Sequence, residues 1–216
     1  MLRDKTRTTT TYSVSEIYPS IQGEGLLVGT PSLFIRFHGC NLRCPWCDQP
    51  ESLTFKKPNM DLESLLERVS LYHQRHVVLT GGEPMAQPDL HLLIEELIKR
   101  SYTVQIETNG TLWNEKLKDL DIHITCSPKA SAKYYVHPEV LRRAKELKFV
   151  VDDELSLNVL KREEFLPFLE KGVAILQPEG NKKHYLEKAL RLQEELLREG
   201  YTVRVIPQIH KLIGLK

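Results

Sequence analysis

The sequence predicts an α/β fold in which parallel strands are joined by crossover helices. Three observations carry this reading. Short runs rich in β-branched and aromatic residues alternate with amphipathic stretches along the chain. The alternation runs through six or seven strands with no internal repeat and no low-complexity linker. The unusual glycine-rich and polar motifs directly follow strands, and α/β folds gather their chemistry at the carboxyl ends of strands. A partial barrel and an open doubly wound sheet both fit, and the pattern alone does not separate them.

The strands are expected at Leu33–Phe37, Val77–Thr80, Thr103–Glu107, Ile122–Thr125, Lys148–Val151, Ala174–Gln177 and Val203–Ile206. The helices are expected at Asp61–His73, Pro88–Arg100, Pro138–Glu146, Leu155–Phe168 and Lys183–Arg198. Each helix rests on apolar spacings of three and four. Leu62, Leu65, Leu66 and Val69, for example, form one stripe. Pro88 suits a first helical turn. Five strand ends carry motifs: Gly39–Asp48 after the first, Gly81–Pro84 after the second, Thr108–Gly110 after the third, Ser127–Lys129 after the fourth and Pro178–Gly180 after the sixth.

At 216 residues the chain suits a single domain, 1–216, with residues 1–12 as a loose N-terminal segment. Hydrophobic residues at 41% and charged residues at 27% allow a sizeable core under a soluble surface. With 30 basic and 29 acidic residues, electrostatics gives no reason to expect nucleic acid or a membrane as the main partner. No apolar run is long enough for a bilayer, and no apolar segment follows the early basic residues as in a secretory signal. A reducing, cytoplasmic location is the expectation.

Three of the four cysteines lie in Cys40-Asn-Leu-Arg-Cys44-Pro-Trp-Cys47, a density that points to metal or redox chemistry rather than disulfides. Three thiolates can hold three irons of a 4Fe-4S cubane and leave the fourth iron open to a ligand. The competing reading is a structural zinc site, which normally closes on four ligands in two spaced pairs. No second pair exists, although His38 is near enough in sequence to serve as a fourth ligand. Cys126 reads as a small buried hydrophobe.

The C-x3-C-x2-C spacing with Trp46 before its last cysteine resembles the signature of the radical S-adenosylmethionine (SAM) superfamily. Thr80-Gly-Gly-Glu-Pro84 resembles the superfamily's glycine-rich SAM loop, and Glu107-Thr-Asn-Gly110 the segment after the next strand. Within the superfamily the chain resembles the 7-carboxy-7-deazaguanine synthase family through Ser15–Glu24, Phe34–Phe37, Cys47-Asp48, Ser127-Pro-Lys129, Gln177-Pro-Glu-Gly180 and His210-Lys211. The resemblance implies an incomplete, modified TIM-like barrel and a homodimer. It implies conversion of 6-carboxy-5,6,7,8-tetrahydropterin to 7-carboxy-7-deazaguanine with loss of ammonia, in the queuosine and archaeosine type of 7-deazapurine biosynthesis. The implied cofactors are a 4Fe-4S cluster on Cys40, Cys44 and Cys47, SAM used catalytically, and Mg²⁺. A reducing electron-donor protein would be a partner.

The residues expected to hold SAM are Trp46, Cys47, Asp48, Gly82, Glu107, Ser127, Pro128 and Lys129, with Gln177, Pro178, Glu179 and Gly180 framing the adenine. Gly82 lets the main chain come close because it has no Cβ. For the pterin, the candidates are Ile21, Gln22, Gly23, Glu24, Arg36, Thr80, His210 and, at the chain end, Lys216. An amide and a carboxylate can match the alternating donors and acceptors of a pterin edge, and Arg36 can take a carboxylate bidentately. Gln49 stands where the family usually has a threonine that helps hold Mg²⁺. Its longer arm displaces the oxygen ligand, so activity is expected to depend less on Mg²⁺ here. Two other functions fit parts of the pattern: a glycyl-radical activase and a non-enzymatic metal-bearing module.

Overall fold

The computed structural model describes residues 9–215. In chain order the strands and helices are β1 (Thr11–Tyr12), β2 (Val14–Ile21), β3 (Pro31–Phe37), β4 (Met60–Asp61), α1 (Leu62–Ser70), β5 (His76–Gly81), α2 (Leu90–Lys99), β6 (Thr103–Thr108) and β7 (His123–Cys126). They continue with α3 (Pro138–Arg143), β8 (Glu146–Val151), α4 (Leu157–Leu160), α5 (Leu166–Glu170), β9 (Ala174–Pro178), α6 (Lys183–Arg198), β10 (Arg204–Val205) and α7 (Ile209–Leu212).

The main sheet runs β10-β9-β8-β7-β6-β5-β3-β2. From β3 onward every neighbour pair is parallel, while β2 lies antiparallel on β3. Spatial order follows chain order without reversal. A doubly wound sheet needs a reversal to create its switch point, so the sheet is an incomplete, TIM-like barrel. Its carboxyl strand ends converge on one side, where the motifs sit.

The strands are buried on both faces, as parallel sheets are. In β3 every residue after Pro31 is buried. On α2, Leu90, Leu93, Ile94 and Leu97 form the inward stripe, and on α6 Tyr185, Ala189, Leu192 and Leu196 do the same. These apolar contacts supply most of each helix's stability, since isolated helices this short are marginal.

Several expectations need correction. Residues 11 and 12 are not loose: they pair with Met60–Asp61, and the buried Tyr12 donates its hydroxyl to the Asp89 carbonyl at 2.9 Å. Strand β2 is absent from the expected elements because Pro19 breaks its pattern. Proline is tolerated there because β2 is an edge strand. The helix expected at Pro138–Glu146 stops at Arg143, and Glu146 opens β8 as a wholly buried side chain. The helix expected at Leu155–Phe168 is two short ones. Pro167 sits in the first turn of the second, where its missing N–H is harmless, whereas inside one long helix it would break the ladder. Pro88 precedes the Asp89 cap and lies outside α2. Among the described residues no helix is long and apolar enough to cross a membrane.

Candidate active site

A cavity of about 520 Å³ opens at the carboxyl ends of the strands. The cysteine loop and the glycine-rich segment after β5 close one end of it. Side chains from β2, β3, β6 and β8 form the other.

At the first end, backbone hydrogen bonds shape the cysteine loop. The Gly39 and Cys40 amides donate to Ser52 and Leu53 carbonyls at 2.8 and 3.0 Å, and the Cys47 amide donates to Cys44 at 3.2 Å. The glycine-rich segment lies against this loop. A Cβ on Gly82 would stand 2.2 Å from the Gly39 carbonyl oxygen, so only glycine fits the contact. Glu83 then locks the arrangement from below. Its amide donates to Gly39 at 2.8 Å, and its wholly buried carboxylate accepts from the Thr108 hydroxyl, the Asn109 amide and the Met85 amide at 2.7, 2.7 and 3.0 Å. Asn109 in turn donates to Asn41 in the cysteine loop at 3.0 Å. The motifs after β3, β5 and β6 thus form one braced unit. Burial pushes the Glu83 carboxyl above its usual range, against those three donors.

Cys40, Cys44 and Cys47 all line the cavity. Burial raises the Cys40 and Cys47 thiols above their ordinary range, and the neighbouring Cys44 thiol adds to the rise at both. Cationic iron would reverse that balance, because a coordinating thiol is held as thiolate. Among the described residues, no three His, Cys, Asp or Glu groups are already drawn together around a single-ion position. The donor set itself, three soft sulfurs facing one cavity, fits a cluster with one iron left to another ligand. Trp46 between them donates its indole N–H to Asp152 at 2.8 Å, and Lys129 stacks over its ring at 5.1 Å. Lys129 also donates to the Ser127 hydroxyl at 2.7 Å. Burial, aided by Lys148, lowers its pKa.

At the second end the polar groups are paired with one another. Gln22 donates to Gln105 and to Glu107, each at 3.0 Å, and accepts the Glu24 amide at 3.1 Å. The other Glu107 oxygen accepts the Thr80 hydroxyl at 2.9 Å. Glu24 forms a buried ion pair with Lys148 and accepts from Gln208 at 2.7 Å. Burial acts against both charges, yet the pairing wins: it holds Glu24 down at about 2 and Lys148 above its ordinary value. Arg36 donates to Glu16 at 2.7 Å and to the Tyr18 hydroxyl at 2.9 Å. From α7, Lys211 reaches Asp48 at 2.7 Å, and His210 packs so close to Gly23 that a Cβ there would meet its ring at 2.1 Å.

With this geometry in view, the comparisons with known proteins are decisive. The model of the "Radical SAM superfamily" matches residues 34–214. A 7-carboxy-7-deazaguanine synthase of Aquifex aeolicus is 58% identical over 219 aligned residues, covering 100% of both chains. The chain belongs to the 7-carboxy-7-deazaguanine synthase family of the radical SAM superfamily. A Rickettsia prowazekii synthase is 34% identical, with 96% of this chain and 90% of the relative covered. The crystal structure of QueE from Escherichia coli superimposes with a TM-score of 0.72 at 28% identity, covering 93% of this chain and 95% of that one.

Most residues singled out from the sequence of this synthase-family chain meet in the one cavity. They include the three cysteines, Trp46, Asp48, Gln49, Gly82, Ser127 and Lys129 at the cofactor end, whereas Glu107, expected at SAM, is bonded to Gln22 and Thr80 at the other end. Ile21, Gln22, Gly23, Glu24, Arg36, Thr80, Gln177, Glu179, Gly180 and His210 line it as well. Pro128 and Pro178 do not line it. Lys216 lies outside the described residues. Sequence reasoning missed Glu16, Tyr18, Asn109, Lys148 and Gln208. Lys148 had a usable signal, a cation inside the otherwise apolar Leu147–Val151. Gln208 had none.

Proposed function

We propose that this chain converts 6-carboxy-5,6,7,8-tetrahydropterin to 7-carboxy-7-deazaguanine with release of ammonia. The observation that carries the reading is a single cavity that joins a three-thiol loop to a ring of donors and acceptors suited to a pterin. Membership of the synthase family points the same way.

Cys40, Cys44 and Cys47 would hold the 4Fe-4S cluster. When bound, the cluster supplies the electron that splits SAM and so generates the 5′-deoxyadenosyl radical. The chain's own residues do the rest by placement. Gly82, with its neighbour Glu83 braced by three donors, offers main-chain groups to the methionine part of SAM. Lys129, held over Trp46 and beside Ser127, offers a cation to the SAM carboxylate. Gln177 has a buried side-chain oxygen with no partner among the described residues, and it can accept from the adenine amino group. On the opposite side Glu107, Thr80 and Glu24 present acceptors and donors to the pterin ring. Arg36 presents its guanidinium to the substrate carboxylate, already oriented by Glu16 and Tyr18. His210, packed on Gly23, covers the mouth and excludes water from the radical's path.

For Mg²⁺ the reading is a reduced requirement. Gln49 replaces the usual hydroxyl, and the Lys211 ammonium already neutralises the adjoining Asp48. A homodimer, a reducing protein partner and a cytoplasmic setting complete the proposal.

The test is anaerobic iron–sulfur reconstitution followed by dithionite, SAM and 6-carboxytetrahydropterin. Appearance of the deazapurine chromophore is the expected outcome. Formation of 5′-deoxyadenosine with unchanged pterin would retain the superfamily chemistry and reject the substrate.

A further inference from the structure

Beneath the substrate end lies a buried carboxylate that does not reach the cavity. Glu146, the first residue of β8, is wholly buried. One of its oxygens accepts the Leu26 amide at 2.7 Å. The other accepts the Thr125 hydroxyl at 2.7 Å and the His123 ring at 3.0 Å. Gly25 rests directly on it: φ there is +71°, and a Cβ would stand 2.8 Å from each carboxylate oxygen.

The loop seated on Glu146 is the one that carries Gln22, Gly23 and Glu24 to the cavity. Its neck is closed by the Gln22 amide on Thr30 at 2.8 Å and the Gly29 amide on Gln22 at 2.7 Å. The side chains complete a ring. Gln22 donates to Gln105, Gln105 donates to Thr125 at 2.9 Å, Thr125 donates to Glu146, and Glu146 accepts from Leu26 in the same loop. Two residues further along the same face of β8, Lys148 holds the Glu24 carboxylate. A buried charge is a poor device for stability alone, since a well-packed apolar residue usually serves as well or better. A charge does hold a backbone N–H more tightly than a neutral acceptor can.

We propose that Glu146 is a positioning residue for the pterin. It fixes the height and tilt of the residue 22–29 loop, and so the direction in which Gln22 and Glu24 meet the ring, without touching substrate. This rests on the reading of the substrate given above.

The decisive comparison uses the reconstituted holoenzyme as wild type, Glu146→Gln, Gly25→Ala and the double variant. Glutamine keeps the shape but removes the charge: with its oxygen on the Leu26 amide, its NH2 can only donate, so Thr125 and His123 must turn from donors to acceptors and the charge-assisted hold on Leu26 is lost. Loss of a charge-assisted bond of this kind raises the KM for 6-carboxytetrahydropterin about tenfold. The KM for SAM, 5′-deoxyadenosine formation without pterin, and cluster content stay at wild-type levels. Hydrogen exchange at residues 24–29 accelerates about tenfold, with the cysteine loop unchanged. Gly25→Ala, which pushes on the same carboxylate, reproduces both effects, and the double variant is no worse than the worse single one. Wild-type KM and exchange in Glu146→Gln overturn the proposal. So does a uniform loss in which cluster content, SAM affinity and pterin affinity fall together. If Glu146→Gln does not fold, Gly25→Ala alone decides by the same two readouts. If wild type fails to turn over the pterin, the substrate reading fails, while the exchange comparison still judges the anchor.

Discussion

The two ends of the cavity are built by opposite means. The cofactor end is a set of loops braced by backbone hydrogen bonds and by the glycine contact at Gly82, and its three thiols line the cavity. The substrate end is a set of side chains from strands and from the loop after β2, already paired with each other: Gln22 with Gln105 and Glu107, Glu24 with Lys148, Arg36 with Glu16. One end is prepared by leaving ligands open, the other by fixing the direction of every polar group before the substrate arrives. The second arrangement lowers reorganisation on binding, at the expense of buried charges that depend on their partners.

Removing one partner at each end separates the two designs. Cys44→Ala is expected to abolish both 5′-deoxyadenosine and deazapurine formation, with loss of cluster absorbance and little change in the apo-protein's melting temperature. An intact cluster spectrum in that variant would break the assignment. Lys148→Met leaves the Glu24 carboxylate buried without its cation. Its expected effect is on folding, about 3–5 kcal/mol in chemical denaturation. A loss well under 1 kcal/mol would mean that the pair is solvated.

The difference between the ends also explains what the sequence revealed. The cofactor end is legible because its residues are close together in the chain: Cys40, Cys44 and Cys47 share one loop, and Thr80–Pro84 is one run. The substrate end joins residues that local pattern cannot relate. Lys148 meets Glu24 across 124 positions, and Glu146 meets Leu26 across 120. Glu146 is a case in point, since its place after an amphipathic run makes it look like the end of a helix. Strand order was legible only as alternation. The choice between barrel and doubly wound sheet needed the pairing of β3 with β5 and the monotonic order beyond it.

Smaller effects sharpen the contrast. Gly82→Ala forces a methyl against the Gly39 carbonyl and is expected to cost about 1–3 kcal/mol, with weakened cluster retention. Calorimetry and iron content would show whether the two losses travel together. At low pH the substrate end should loosen first. The folded Glu24 carboxyl titrates at about 2 against an ordinary 4.5, so its pairing contributes fully above the ordinary value and is lost as pH falls through that window. Melting temperatures of wild type and Glu24→Gln should therefore converge between those two pH values. Chelation of Mg²⁺, with the cluster intact, should change the rate by no more than about twofold if Lys211 serves Asp48 as described.

The most direct test of the contrast is spectroscopic. Reduced, cluster-loaded protein would be mixed with SAM carrying ¹⁵N in its methionine amino group, and hyperfine coupling to the cluster measured by electron–nuclear double resonance. A resolved ¹⁵N coupling is expected if, as proposed, Cys40, Cys44 and Cys47 hold three irons and leave the fourth to the cofactor. A cluster signal indifferent to the label, or a protein that takes up one zinc ion in place of iron and sulfide, would contradict the account.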